Sequence, residues 1–269
     1  MTRRQLLLNK INLSTPPEKI LEMISVSREK KNNESDTIIL INKAIDTTYD
    51  YIVNLYFERA HIYQLSYMTE RDKLGRGNKK KLNNSLRKME EYVRETEIYI
   101  KHNSLERWSH RLYRFQGKIS EYKGNYHKAV DYYKKSLKRW RTDPEVVSKD
   151  LPRGLELEGF LASATIMSGE IVKGIRLARK VYKKYEDSIE GRKLKKKDYT
   201  TWAIWRTGVP IFVTRGLVEK KVKFEKEAIL SWLNDADKLL NPPKTIKTWA
   251  DFQFRKDEIG ALRKIIKEI

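Results

Sequence analysis

Between residues 105 and 137 apolar positions recur every three or four residues. Trp108, Leu112, Phe115, Ile119 and Tyr122 form one run, and Ala129, Val130, Tyr133 and Leu137 form the next, with Gly124 and Asn125 between them. This is the rhythm of two amphipathic helices, and so short a turn makes them antiparallel neighbours. The rhythm extends in both directions. Upstream it predicts a long helix over 37–69 and a second over 82–101, the latter with Leu82, Leu86, Met89 and Val93 on one side. The polar stretch RDKLGRGNKKK, 71–81, reads as the loop between them. Pro16 and Pro17 open a short helix to about residue 27, and 30–36 reads as a connection.

Downstream, beyond DPEVV (143–147) and Pro152, helices are expected over 155–167 and 172–185, joined at Ser168-Gly169-Glu170. Their small residues Ala162, Ala164, Gly174 and Ala178 allow two backbones to approach closely. A basic loop follows over 187–198. A third pair is expected over 199–213 and 224–240, its first member bent or ended by Pro210, which removes a backbone donor. A last helix covers 249–269. No stretch shows two-residue alternation, and proline and glycine number only 7 and 12 in 269 residues, so the expected class is all-α.

Residues 110–143, HRLYRFQGKISEYKGNYHKAVDYYKKSLKRWRTD, resemble a tetratricopeptide repeat (TPR), a helix-turn-helix unit of about 34 residues. Tyr113 stands at the first aromatic position, Gln116 replaces the leucine, Gly117 matches the glycine, and Ser120 occupies the tyrosine position. Gly124, Tyr126, Ala129 and Tyr133 match the turn and second helix, while Pro144 falls three residues late. Ala162, Gly169, Gly174 and Ala178 repeat the pattern more loosely, as do Tyr56, Ala60 and Tyr63 upstream. The resemblance implies a TPR-like solenoid of helical hairpins with a terminal capping helix. It divides the chain into a short helix and linker (1–36), a degenerate hairpin (37–104), TPR-like hairpins (105–246) and the cap (247–269). It also implies a concave groove lined by first helices, into which Arg111, Arg114 and Lys118 would point, with His61 and Gln64 from the upstream unit and Glu156, Gly159 and Ser163 from the next.

Charge sharpens the expectation about partners. Lysine and arginine number 57 against 36 acidic residues, a formal charge of +21, which attracts acidic proteins or nucleic acid. Arg107, Arg111, Arg114 and Lys118 repeat along one helix face and are the candidate contacts to an acidic segment of a partner protein. The alternative is an RNA- or DNA-binding scaffold, using Lys79, Lys80 and Lys81 with Arg192, Lys193, Lys195, Lys196, Lys197 and Arg206 on the phosphate backbone. Nearby Trp202 and Trp205 could stack on bases, although their spacing of three also suits a shared buried face.

Chemistry narrows the reading further. The chain has no cysteine, which removes disulfides and thiolate metal sites. Its four histidines, His61, His102, His110 and His127, show no ligand spacing, so no metal is expected. Neither a P-loop nor a nucleophile elbow is present, and a non-enzymatic protein without cofactors is the expectation. No run approaches the roughly 20 apolar residues of a spanning helix, and the LLL near the start is too short for a signal-peptide core, so the expected setting is cytoplasmic, with no membrane partner.

Overall fold

Gly117 is the closest point of the central hairpin: a Cβ there would sit 2.5 Å from the ring of Tyr133 on the facing helix. Such contacts recur along a chain whose computed structural model describes residues 15, 19–20, 22–24, 34–71, 77–142 and 153–268. Among them every regular element is a helix. In order these are α1 (Glu34–Arg71), α2 (Lys79–His102), a 3-10 turn (Glu106–Trp108), α3 (Ser109–Tyr122), α4 (Tyr126–Thr142), α5 (Arg153–Met167), α6 (Ile171–Asp187), α7 (Ile189–Lys197), α8 (Tyr199–Glu219), α9 (Lys226–Leu239) and α10 (Gln253–Glu268).

They stack as consecutive antiparallel pairs, α1 with α2, α3 with α4 and α5 with α6, followed by α8 with α9 and α10. Left-handed glycines turn two of the hairpins, Gly124 with φ of 75° and Gly169 with φ of 100°, a conformation that a Cβ would oppose. In the third pair the small residues act as expected: a Cβ on Gly174 would strike Ile166 and lie 3.0 Å from the carbonyl of Ala162.

The first helices α1, α3, α5 and α8 run side by side in the same direction. Phe57 stacks on Phe115 at 5.4 Å and Tyr67 on Tyr122 at 4.2 Å, so contacts advance together along α1 and α3. From α3 to α5, Arg114 meets Glu156 and Lys118 lies 3.6 Å over the ring of Phe160. From α5 to α8, a Cβ on Gly159 would meet Val209, and one on Gly216 would meet Ile166 and Met167. Apolar clusters fill the spaces between pairs. Phe57, Met89, Val93 and Phe115 form the first, Tyr133, Leu137, Leu157 and Ala164 the second, and Tyr185, Trp202, Ile211, Leu217, Leu233 and Ile259 part of the third. Each fully buried large side chain contributes about 1.5–3 kcal/mol.

Three local expectations are corrected. The basic segment 187–198 is not a loop: Ser188 caps α7 by accepting the N–H of Gly191 at 3.0 Å, and Leu194 buries the inner side of the helix. Lys79, Lys80 and Lys81 likewise form the first turn of α2, where Asn78 accepts the N–H of Lys81 at 3.1 Å. Pro210 neither ends nor splits α8, which continues to Glu219. There the packing of Val209, Ile211, Val213 and Leu217 outweighs one missing hydrogen bond. Of the predicted N-terminal helix, Ile20 packs on Leu40, while most of 16–27, the DPEVV connection and Pro152 lie outside the described residues.

Candidate functional site

Because the four first helices stack in parallel, their inward faces enclose a concave groove of about 630 Å³, closed on one side by Trp249, Phe254 and Arg255. His61 and Gln64 reach it from α1, Arg114 and Lys118 from α3, and Glu156, Gly159 and Ser163 from α5, so the structure brings these residues to one place. Five arginines and lysines line it against three glutamates, with aromatic rings that include Phe160, Trp205 and Phe212. The lining is therefore apolar in bulk and positive in net charge.

Its cations are not solvated. Arg114 donates from Nε and Nη2 to the Glu156 carboxylate at 3.0 and 2.7 Å, with Arg114 only 5% and Glu156 7% exposed. Arg153 adds a third bond to Glu156 at 3.2 Å. Burial alone would push the Glu156 carboxyl up, but Arg114 and Arg153 outweigh it and hold the group below the usual carboxylate range. Lys118 donates to Glu121 at 2.6 Å, and Glu121 also accepts from the Tyr133 hydroxyl at 2.8 Å. Burial lowers the Lys118 ammonium below its ordinary value, only partly offset by Glu121. His61 is lowered too, by burial and then by the nearby charge of Arg114.

Gln64 is the polar group left over. It is 4% exposed, its amide nitrogen reaches only the Met68 sulfur at 3.8 Å, and its Oε1 has no partner among the described residues.

The structure corrects the reading of Arg107, Arg111, Arg114 and Lys118 as one open cationic face. Arg107 and the Trp108 indole both donate to Asp50, at 2.9 and 2.6 Å, while Arg111 grips Asn54 at 2.5 Å and Glu58 at 2.9 Å. These residues brace α3 against α1 and stand outside the groove lining, whereas Arg114 and Lys118 line it as paired ions. The cause is position. A first helix flanked on both sides by other first helices turns its i, i+4 stripe toward their seams, where carboxylates await it. Asp50, Asn54 and Glu58 sit at the same spacing on α1, a complementary signal already present in the sequence.

The candidate phosphate contacts are not joined into one surface. Lys81 lies 3.4 Å from Glu70 at the C-terminal end of α1, while α7 leads into the N-terminal end of α8, at the opposite edge of the array. Arg206 and Lys195 both pair with Glu186. Trp202 cannot stack on a base: it is fully buried, donates to the Tyr185 carbonyl at 2.9 Å and packs beneath Arg206. Trp205 faces the groove instead. His110 is buried in the α3–α4 hairpin, its carbonyl accepting from Ser136 at 2.5 Å. Among the described residues no three His, Asp or Glu side chains gather as a metal-ligand set, and no helix is long and apolar enough to cross a membrane.

Sequence reasoning missed the C-terminal contributions to the groove, Trp249, Phe254 and Arg255, which are distant in sequence and arrive there only through the packing of α10 on α8. Compared with known proteins, the chain matches no family model, no curated protein and no solved structure.

Proposed function

We propose that the protein is a non-catalytic scaffold of TPR-like hairpins, capped by α10, whose groove between α1, α3, α5 and α8 receives an acidic segment of a partner protein carrying a large apolar side chain. The observation that carries this reading is Gly159. It lies in the middle of α5 and lines the groove, yet a Cβ there would meet only Val209, at the ordinary contact distance of 3.6 Å. Alanine would fit and would favour the helix by about 0.5–1 kcal/mol. Packing therefore does not require the glycine, and its bare Cα leaves that part of the groove floor open.

The division of labour follows from the chemistry of the lining. Phe160, Trp205 and Phe212 supply the desolvated contact area that dominates affinity in such sites. Net positive charge steers an acidic chain toward the groove and sets its salt dependence. Arg114 and Lys118 act mainly by position, since each already holds a carboxylate of its own.

Peptide display on the full-length protein tests the reading, with Gly159→Leu as the blocked groove. The expected result is enrichment of peptides with Asp or Glu around an aromatic or aliphatic anchor, binding G159L at least about tenfold more weakly, since a side chain placed in the groove removes contact area from the anchor. Failure to enrich such peptides, or equal binding to G159L with an unchanged melting temperature, rejects it.

A further inference from the structure

Trp249 is 69% exposed, and yet it is held in place. Its indole Nε1–H donates to Asp198 Oδ1 at 3.1 Å and its backbone N–H donates to Thr200 Oγ1 at 3.1 Å. A tryptophan N–H usually finds such a partner when the ring is buried, not when it is exposed. Here one indole and one backbone hydrogen bond hold the residue, and most of its surface stays open to solvent.

Around it lies a shallow concavity lined by Arg192, Lys195, Lys196, Lys197 and Lys247, with Glu186 and Asp198 as its acidic members. Both acids already have partners. Glu186 holds Lys195 and Arg206, while Asp198 caps α8 by accepting the N–H of Thr201 at 3.0 Å and its hydroxyl at 2.5 Å. Arg192, Lys196, Lys197 and Lys247 have no carboxylate within ion-pair distance among the described residues, although Arg192 donates to the Asp187 carbonyl, in contrast to the paired cations of the groove. Helix polarity accounts for some of this charge, because lysines in the last turn of α7 offset the negative end of its dipole. It accounts neither for Lys247, which lies outside any helix, nor for the bare indole.

We propose that this face binds single-stranded nucleic acid, a base stacking on Trp249 while flanking phosphates meet Arg192, Lys196, Lys197 and Lys247. An open aromatic face beside cations that lack carboxylate partners matches the two components of sequence-tolerant single-strand binding. A duplex keeps its bases stacked on one another and leaves the indole unused. An acidic peptide would meet the same charges, but a base also presents a flat π-face to the bare indole. Lysine contacts go to phosphate, so the site reads the strand without reading its sequence. Arg192, Lys196 and Lys197 share one anchored backbone: α7 is a helix, and its Leu194 is buried in the core cluster that holds Trp202. Trp249 lines both this concavity and the groove, so the two sites meet at its ring.

Fluorescence anisotropy on the full chain tests the proposal, with labelled oligouridylate and oligodeoxythymidylate of about 12 nucleotides, a duplex of equal length and polyglutamate as ligands. Binding of either single strand, with the duplex and polyglutamate weaker, is the expected result. W249A should weaken it roughly tenfold or more, while W249F, which keeps a stacking ring, should stay within about threefold. K196Q/K197Q should lower the slope of log affinity against log salt by about 1.4, at roughly 0.7 per phosphate contact on a single strand. G159L should leave single-strand binding unchanged, which separates this site from the groove. No binding at the lowest salt, equal affinity of W249A, or polyglutamate bound with the same dependence on Trp249 would overturn the proposal. Loss of oligonucleotide binding in G159L would place the strand in the groove and overturn both readings.

Discussion

Arg114 and Glu156 join α3 to α5 through two parallel N–H···O bonds of 3.0 and 2.7 Å, and neither residue is more than 7% exposed. Arg111 performs the corresponding task on the other side of α3, with Asn54 and Glu58 of α1. The first helices are therefore tied to one another by polar contacts across the groove wall, while apolar clusters tie each pair to the next behind it.

Removing one member of the buried pair leaves the other charged and desolvated, so Arg114→Ala should cost about 3–5 kcal/mol in urea unfolding. Replacing both, as Arg114→Met with Glu156→Leu, should cost far less, because the desolvation of two ions disappears along with their attraction. A double-mutant cycle checks this: near-additive losses in the two single variants and the double would show that the pair is not the coupled unit described.

Acid stability should fall in two stages. His61 is held below its ordinary 6.5, so the unfolded chain binds the proton first, and stability declines as pH drops below 6.5 toward the lower folded value. Glu156 is depressed below its ordinary 4.5; its contribution is intact above that value and is lost as pH falls through the folded one. Urea midpoints between pH 7 and 3 should show both steps. His61→Gln should flatten the upper step and Glu156→Gln the lower, and a profile identical in E156Q and the parent would contradict the assignment.

Much of this architecture can be read from the sequence, and its misreadings share a cause. Ala129, Val130, Tyr133 and Leu137, expected inside from their spacing, are all buried, because an apolar stripe on a hairpin has only one way to face. His61, Gln64, Arg114, Lys118, Glu156, Gly159 and Ser163 all line one groove, because repeat position carries geometry with it. Charge is less readable. Arg111 looks like a solvated cation until the stacking of α1 supplies Glu58, and the lysines after Ser188 look like a loop until Leu194 finds the core. Such partners are set by tertiary packing, which local periodicity does not encode.

Gly117→Ala should destabilise the protein despite improving local helix propensity. The added methyl would lie 2.5 Å from Cε1 of Tyr133, and that ring cannot swing aside freely, since its hydroxyl is bonded to Glu121. Overpacking of this kind costs about 1–3 kcal/mol. The propensity gain of about 1 kcal/mol or less does not offset it. A lowered melting temperature by circular dichroism is the expected observation, and an unchanged or raised one would mean that the two helices separate more easily than their contact implies.

Gly159→Ala should do the opposite, and the contrast between the two glycines separates packing from function. Both lie inside helices that support the groove, but the Cβ site of Gly159 is open apart from Val209 at 3.6 Å. Alanine there should raise stability by about 0.5–1 kcal/mol through reduced backbone entropy in the unfolded chain. It should also narrow the groove slightly, so affinity for a selected peptide should fall as the melting temperature rises, and Gly159→Leu should extend the loss. Stability and binding moving in opposite directions at one position is the signature of a residue kept for the space it leaves. If G159A instead melts lower than the parent, the glycine serves the packing of α5 on α8, and the argument that the groove is held open for a ligand loses its support.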